Sequence, residues 1–101
     1  SDDDENIIEI DNLIKIDLNL HKVMVSGKEI NLTKTEFDIL TILSKKRGWV
    51  FSREKLLDKL WGDEKYVIDR TIDVHIKHLR DKLGKGGSLI KNVRGVGYKI
   101  R

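Results

Sequence analysis

The sequence predicts an α+β domain in which an antiparallel sheet comes first, three helices follow, and a β-hairpin ends the chain. Three observations predict this order. Apolar residues alternate with polar ones over residues 8–32, they recur with a helical period over residues 33–83, and glycines separate two short strand patterns after that. With 101 residues, of which 39% are apolar, the chain can form one domain with one small core.

The alternating segment predicts three or four short strands. Turn residues such as Asp11-Asn12 divide it, and Ser26-Gly27-Lys28 is typical of a tight hairpin turn. Residues 1–6 are too charged to pack, so we predict a linker remnant there and a domain over residues 7–101. The apolar positions of the four segments are Ile8, Ile10 and Leu13, then Ile14, Ile16, Leu18 and Leu20, then Val23 and Val25, and finally Ile30 and Leu32.

The first helix is predicted to begin at Thr33. Thr33 and Glu36 have the spacing of a capping box, in which the two side chains accept hydrogen bonds from free backbone N–H groups of the first turn. Leu32 and Phe37 have the spacing of a hydrophobic staple. The cations at 45–47 suit the negative helix end, and Gly48 supplies the terminal turn. The predicted apolar stripe is Phe37, Ile39, Leu40, Ile42 and Leu43.

A second and a third helix follow by the same rules. Ser52 caps the second helix, Phe51 can staple onto Leu56, and Gly62 ends it. After a short loop, the third helix is predicted from a cap near Asp69 to Gly84. A glycine turn at 84–87 then leads to strands at 89–93 and 97–100. The predicted buried face of the second helix is Leu56, Leu57, Leu60 and Trp61.

The third helix has two different faces on a helical wheel. Its apolar stripe, which must face the core, is Ile72, Ile76, Leu79 and Leu83. Val74 lies diametrically opposite, among Arg70, Thr71, Lys77, His78 and Asp81. This mixture is typical of a base-reading helix, because Thr71 and Val74 can meet a thymine methyl and His78 can donate to a base. The alternative is that Val74 packs under the preceding loop and the rest is an ordinary solvated surface.

The charge distribution favours a polyanion as the partner. Residues 1–20 hold seven acidic residues and one basic residue, whereas residues 65–101 hold ten basic and three acidic residues. Arg94 stands before Gly95-Val96-Gly97 at the tip of the predicted hairpin, where an arginine can enter a narrow minor groove. The alternative is a plain turn with a solvated arginine.

Several function classes lack their signatures in this sequence. There is no cysteine for disulfide or thiolate chemistry, and no apolar run reaches the roughly 20 residues that a membrane span needs. Asp73, His75 and His78 do not share one helix face as a zinc site requires, and residues 84–87 lack the spacing of a phosphate-binding loop. We therefore expect no enzyme activity, no metal and no cofactor. The acidic start is unlike a signal peptide, which predicts a cytoplasmic location.

Three stretches of the chain carry a family likeness, namely SREKLLDKLWG at 52–62, DRTIDVHIKHLRDKL at 69–83 and VRGVGY at 93–98. In this order they closely resemble the OmpR/PhoB family of response-regulator effector domains, and the likeness covers about residues 7–101. The resemblance implies a winged helix-turn-helix. In it the helix at about residues 70–83 is the recognition helix, and the C-terminal hairpin is the wing.

The resemblance also implies roles for individual residues. The expected base-facing residues are Thr71, Val74 and His78, and Arg94 matches the wing arginine of the minor groove. Phosphate contacts are expected from Trp61, Arg70, Lys77, Arg80 and Asn92, with Tyr98 supporting the wing near the DNA backbone. The loop at 62–68 matches the position that touches RNA polymerase in relatives, with Asp63, Glu64 and Tyr66 as its exposed candidates. Relatives often have arginine at the positions of Lys77 and His78, and often threonine at that of Asn92.

The partners implied by the resemblance are double-stranded DNA with tandem direct half-sites and, through the rest of the regulator, a receiver domain and a sensor kinase. We expect a monomer that binds DNA as two copies side by side. No counterpart of a phospho-acceptor aspartate with its acidic pocket is found in these residues. We therefore expect phosphorylation control to reside in a part of the regulator other than these residues. The alternative is a winged helix that contacts only proteins.

Overall fold

The computed structural model describes residues 6–62 and 69–101, without the side chains of Trp61 and of residues 69–71. The predicted order of elements is confirmed. Four strands come first: β1 (Ile7–Ile10), β2 (Ile14–Asp17), β3 (Lys22–Val25) and β4 (Lys28–Ile30). Three helices follow: α1 (Lys34–Lys45), α2 (Arg53–Trp61) and α3 (Asp69–Leu83). A 3-10 helix (Gly84–Leu89) then leads to β5 (Ile90–Val93) and β6 (Gly97–Ile100).

The first sheet is antiparallel in the order β1-β2-β3-β4, and one of its faces is apolar. Ile14 pairs with Val25 and Ile16 with Val23, so these four buried side chains lie on one face. Ser26 and Gly27 join β3 to β4 with φ of 52° and 80°, the two positive values that a tight two-residue hairpin turn requires.

Two strands are shorter than the alternation predicts. β2 ends at Asp17 and not near Leu20, and β4 ends at Ile30 and not at Leu32. Asp17 accepts a hydrogen bond from the backbone N–H of Leu20 at 3.0 Å, which closes a turn, and Leu20 is 62% exposed. The apolar period continues past β2, but a local side-chain bond has already turned the chain.

The helix caps are formed as predicted. Thr33 Oγ1 accepts from the Glu36 N–H at 3.2 Å, and Glu36 Oε1 accepts from the Thr33 N–H at 3.0 Å, which completes the capping box of α1. Ser52 Oγ accepts from the Lys55 N–H at 3.1 Å at the start of α2. These bonds satisfy donors that a helix start leaves free, so they fix where each helix begins.

The core lies between the apolar face of the first sheet and the three helices. The predicted stripe of α3 is inside it, with at most 2% exposure for Ile72, Ile76, Leu79 and Leu83. This burial fixes the rotation of α3 about its axis, because the stripe occupies one side of the helix. The opposite side of α3 must therefore face outward. Among the described residues, no helix is both long and apolar enough to cross a bilayer.

The segment after α3 is a 3-10 helix, where the sequence predicted a glycine turn and a strand from residue 89. Tertiary contacts explain the difference. A Cβ atom on Gly87 would overlap the backbone carbonyl of Arg80, and one on Gly86 would lie 2.9 Å from Ile14 Cγ1. Both glycines are buried, so this segment can pack directly on α3 and on the first sheet.

The chain before α2 is hydrogen-bonded to β6 close to the turn of the β5–β6 hairpin. Phe51 and Tyr98 exchange two backbone hydrogen bonds of 2.8 and 2.9 Å. Gly97 makes this approach possible, because a Cβ atom there would overlap the carbonyl of Phe51. The hairpin is thus fixed close to its turn, and the turn residues 94–96 are exposed.

Candidate nucleic-acid interface

The outward face of α3 is centred on an exposed valine. Val74 is 50% exposed, and Lys77 and His78 on the same side are also exposed. Val74 is therefore not buried among the described residues, whereas the preceding loop of the alternative interpretation lies outside them. Asp81 is exposed on this side as well, so the surface combines cations, a hydrogen-bonding ring, one acid and a central aliphatic group.

A groove of about 460 Å³ separates α3 from the hairpin. Four residues that the sequence assigned to the DNA backbone line this groove together: Lys77, Arg80, Asn92 and Tyr98. Lys77, Arg80 and Asn92 are exposed and can reach a phosphate from either wall. Asp73 and Asp81 also line it, so its cations are partly offset by carboxylates.

Arg94 is exposed at the tip of the hairpin. The turn is closed by the Val96 N–H, which donates to the Val93 carbonyl at 2.9 Å, and Gly95 supplies a positive φ of 79°. Val96 beside it is 53% exposed. The tip therefore presents an arginine and an aliphatic side chain to solvent.

Tyr98, which was expected to support the wing near the DNA backbone, lines the groove but is itself buried. Its residue exposure is only 5%, and its hydroxyl donates to Asp73 Oδ1 at 2.5 Å. Burial first, and then the Asp73 contact, raise the pKa of Tyr98 above its ordinary value of 10.0. The phenol therefore keeps its proton near neutral pH and remains a donor.

Two residues of the site, Arg53 and Asp73, were not singled out from the sequence as parts of the interface. Arg53, the first residue of α2, donates from Nε to Asp73 Oδ1 at 2.7 Å, and its guanidinium lies 5.4 Å from the centre of the Tyr98 ring. The Tyr98 bond lowers the pKa of Asp73 most, burial opposes it, and Arg53 lowers it further, so the carboxylate stays ionised. No local sequence signal predicts these contacts, which join residues 20 and 25 positions apart.

A second ion pair holds the other end of α3. Lys82 Nζ donates to Glu36 Oε1 at 2.7 Å, and the same carboxylate oxygen also accepts from the Thr33 N–H. The Glu36 side chain is only 2% exposed. The capping residue of α1 thus also anchors α3, which supports the orientation of its outward face.

Some predicted site residues lie outside the described part of the structure. The loop residues Asp63, Glu64 and Tyr66 belong to this group, and so do the side chains of Trp61, Arg70 and Thr71. Across residues 6–62 and 69–101, no group of three His, Cys, Asp or Glu side chains could hold a metal ion.

Comparison with known proteins identifies the family. A family model described as "Transcriptional regulatory protein, C terminal" matches residues 27–100, which is most of the chain. The chain belongs to this family. It is of the OmpR/PhoB type, since a similar solved structure is response regulator DrrB, a Thermotoga maritima OmpR/PhoB homologue. That match has a TM-score of 0.83 and 36% identity, and covers 94% of this chain and 44% of DrrB.

Two other relatives illustrate the OmpR/PhoB-type family at different lengths. Response regulator ArlR of Staphylococcus haemolyticus is 43% identical over 99 residues, which are 96% of this chain and 45% of ArlR. The RstA DNA-binding domain of Klebsiella pneumoniae, solved with the RstA box, has a TM-score of 0.81 and 33% identity, covering 93% of this chain and 95% of that domain. This OmpR/PhoB-type chain therefore spans less than half the length of the full regulators it matches.

Proposed function

We propose that this chain binds double-stranded DNA sequence-specifically, as the output domain of a two-component response regulator that acts in transcription. The observation that carries the proposal is the outward face of α3, where Val74 is half exposed beside a groove lined by Lys77 and Arg80. An aliphatic side chain gains nothing from water at the centre of a polar surface, but it can pack against the methyl group of a thymine. The RstA domain solved with its DNA box is a relative of the same fold.

In the proposed complex α3 enters the major groove. Val74 and His78 face base edges together with Thr71, and Arg94 on the wing reaches the minor groove of an adjacent stretch. The proposed phosphate contacts are Trp61, Arg70, Lys77, Arg80 and Asn92. Lysine at 77 and histidine at 78 give point contacts where arginine would give a bidentate fork, so we expect a weaker preference for guanine at those base pairs.

The wider assignments follow from the family and are proposals too. Two copies would bind tandem direct half-sites, and the loop with Asp63, Glu64 and Tyr66 would contact RNA polymerase. A receiver domain and a sensor kinase would control the regulator through the chain that relatives have beyond the matched domain. Such a protein works beside the chromosome, in the cytoplasm.

Selection of duplexes from a random pool, followed by titration against salt, tests the proposal. Contacts with about four to six phosphates should make log K fall against log salt with a slope of about −4 to −5. One recovered consensus and a slope in this range would support DNA recognition. Recovery of no consensus, with a salt-independent affinity for proteins, would instead favour a winged helix used only for protein contact.

A further inference from the structure

One carboxylate oxygen joins three elements of the domain beside the DNA-facing surface. Asp73 Oδ1 on α3 accepts from Arg53 Nε at 2.7 Å and from the Tyr98 hydroxyl at 2.5 Å. Arg53 begins α2, and Tyr98 lies on β6, the second strand of the wing. A hydroxyl donor and a guanidinium donor on one ionised oxygen form a strong, directional junction.

The junction residues are close in the chain to both proposed DNA contacts. Asp73 immediately precedes Val74, the centre of the base-facing surface. Tyr98 follows Gly97, and Gly97 pairs with Val93 at the last rung before the turn that carries Arg94. A shift of Tyr98 relative to Asp73 would therefore move the wing tip relative to the recognition helix.

Folding stability alone does not explain this arrangement. The side chains of Arg53 and Asp73 are 34% and 43% exposed, and ion pairs with so much solvent access add little to stability. The backbone bonds between Phe51 and Tyr98 already fix the wing to the chain before α2. What the junction adds is a side-chain link from the wing to α3.

We propose that Asp73, with Arg53 and Tyr98, is a positioning residue that fixes the wing relative to the recognition helix. It thereby sets the spacing between the major-groove contacts of Val74 and the minor-groove contact of Arg94. This inference rests on the proposed function. Asp73 itself does not contact the bases; it acts through the orientation of the wing.

Tyr98→Phe tests the inference, because it removes one O–H and leaves the ring in place. Affinity is measured on the selected duplex with A/T-rich and with G/C-rich flanks, for wild type, Tyr98→Phe, Arg94→Ala and the double variant. We expect Arg94→Ala to remove the preference for A/T flanks, and Tyr98→Phe to weaken that preference. In the Tyr98→Phe background, Arg94→Ala should reduce the affinity for the A/T-flanked duplex by a factor about three to ten times smaller than it does in wild type.

Two further variants complete the design. Thr41→Val removes a hydroxyl that donates to the Phe37 carbonyl at 2.9 Å within α1, and should leave the flank preference unchanged. Asp73→Asn keeps the shape of the side chain but removes its charge, and should weaken the same preference as Tyr98→Phe does.

The outcomes separate the inference from the proposed function. The inference is overturned if Arg94→Ala costs the same factor in both backgrounds. It is equally overturned if Tyr98→Phe and Asp73→Asn lower affinity for both flanks alike in step with a lower melting temperature, since that is a purely structural role. Wild type that binds no duplex specifically would contradict the proposed function and the inference together.

Discussion

Adjacent residues of α3 face different partners. Asp73 is engaged by Arg53 and Tyr98 within the protein, while Val74 is half exposed to solvent. A helix advances by about 100° per residue, so one position separates a structural contact from a surface contact. The exposed face around Val74 thus borders the groove, whose wall includes Asp73 and Tyr98 of the junction.

Glu36 gives a residue-scale prediction about pH. Burial works to raise its pKa, but hydrogen bonds from Lys82 and the Thr33 N–H outweigh that effect, and the pKa lies below its ordinary value of 4.5. A lowered folded-state pKa means that the ionised form stabilises the fold above pH 4.5, and that this contribution is lost as pH falls through 4.5 and then through the lowered pKa.

Glu36→Gln should therefore lower the free energy of unfolding at pH 7 by roughly 1–3 kcal/mol, because it leaves Lys82 without its carboxylate. The difference in the free energy of unfolding between the variant and wild type should become smaller when urea titrations are repeated at pH values below 4.5. Asp38→Asn is the control, since its partner Lys34 is 84% exposed and the loss of this pair should change stability little at any pH. A gap that stays constant with pH would contradict this account of Glu36.

At the scale of elements, local signals predicted where helices begin and tertiary contacts decided the rest. The capping box of Thr33 and Glu36 is complete within four residues, so its spacing is visible in the sequence. The 3-10 helix depends on Gly87 meeting the carbonyl of Arg80, a contact that the sequence pattern does not contain. The junction at Asp73 was missed for the same reason, because its partners lie on other elements.

The attachment of the wing gives an element-scale prediction. Gly97→Ala places a methyl group against the backbone carbonyl of Phe51, and a shift of Phe51 would break the two backbone hydrogen bonds that it exchanges with Tyr98. We expect a loss of about 1–3 kcal/mol in the free energy of unfolding. Hydrogen exchange should also be faster at the Tyr98 amide.

Gly86→Ala is the matched control for this change. Its nearest neighbours are the Cγ1 and Cδ1 atoms of the Ile14 side chain at 2.9 and 3.0 Å, and a side chain yields more easily than backbone. We expect a smaller loss of stability and no change in exchange at Tyr98. Equal losses for both variants would contradict the role given to Gly97.

At the scale of the whole molecule, the burial of one helical stripe determines which side of α3 faces solvent. Ile72, Ile76, Leu79 and Leu83 face the core, which leaves the opposite side of α3 for a partner. The helical period alone predicted this division. The positive charge of residues 65–101 predicted the sign of the partner, but the groove and the orientation of the wing follow only from the packed domain.

The most direct test of the central claim is the affinity of Val74→Glu for the selected duplex, compared with that of Leu20→Glu. Both changes place a carboxylate on an exposed aliphatic position, and Leu20 lies in the turn after β2 and not on α3. We expect Val74→Glu to lose about 10³-fold or more of its specific affinity while its circular dichroism is unchanged, and Leu20→Glu to bind like wild type. Equal, undiminished binding by both variants would contradict the claim that this face of α3 reads DNA.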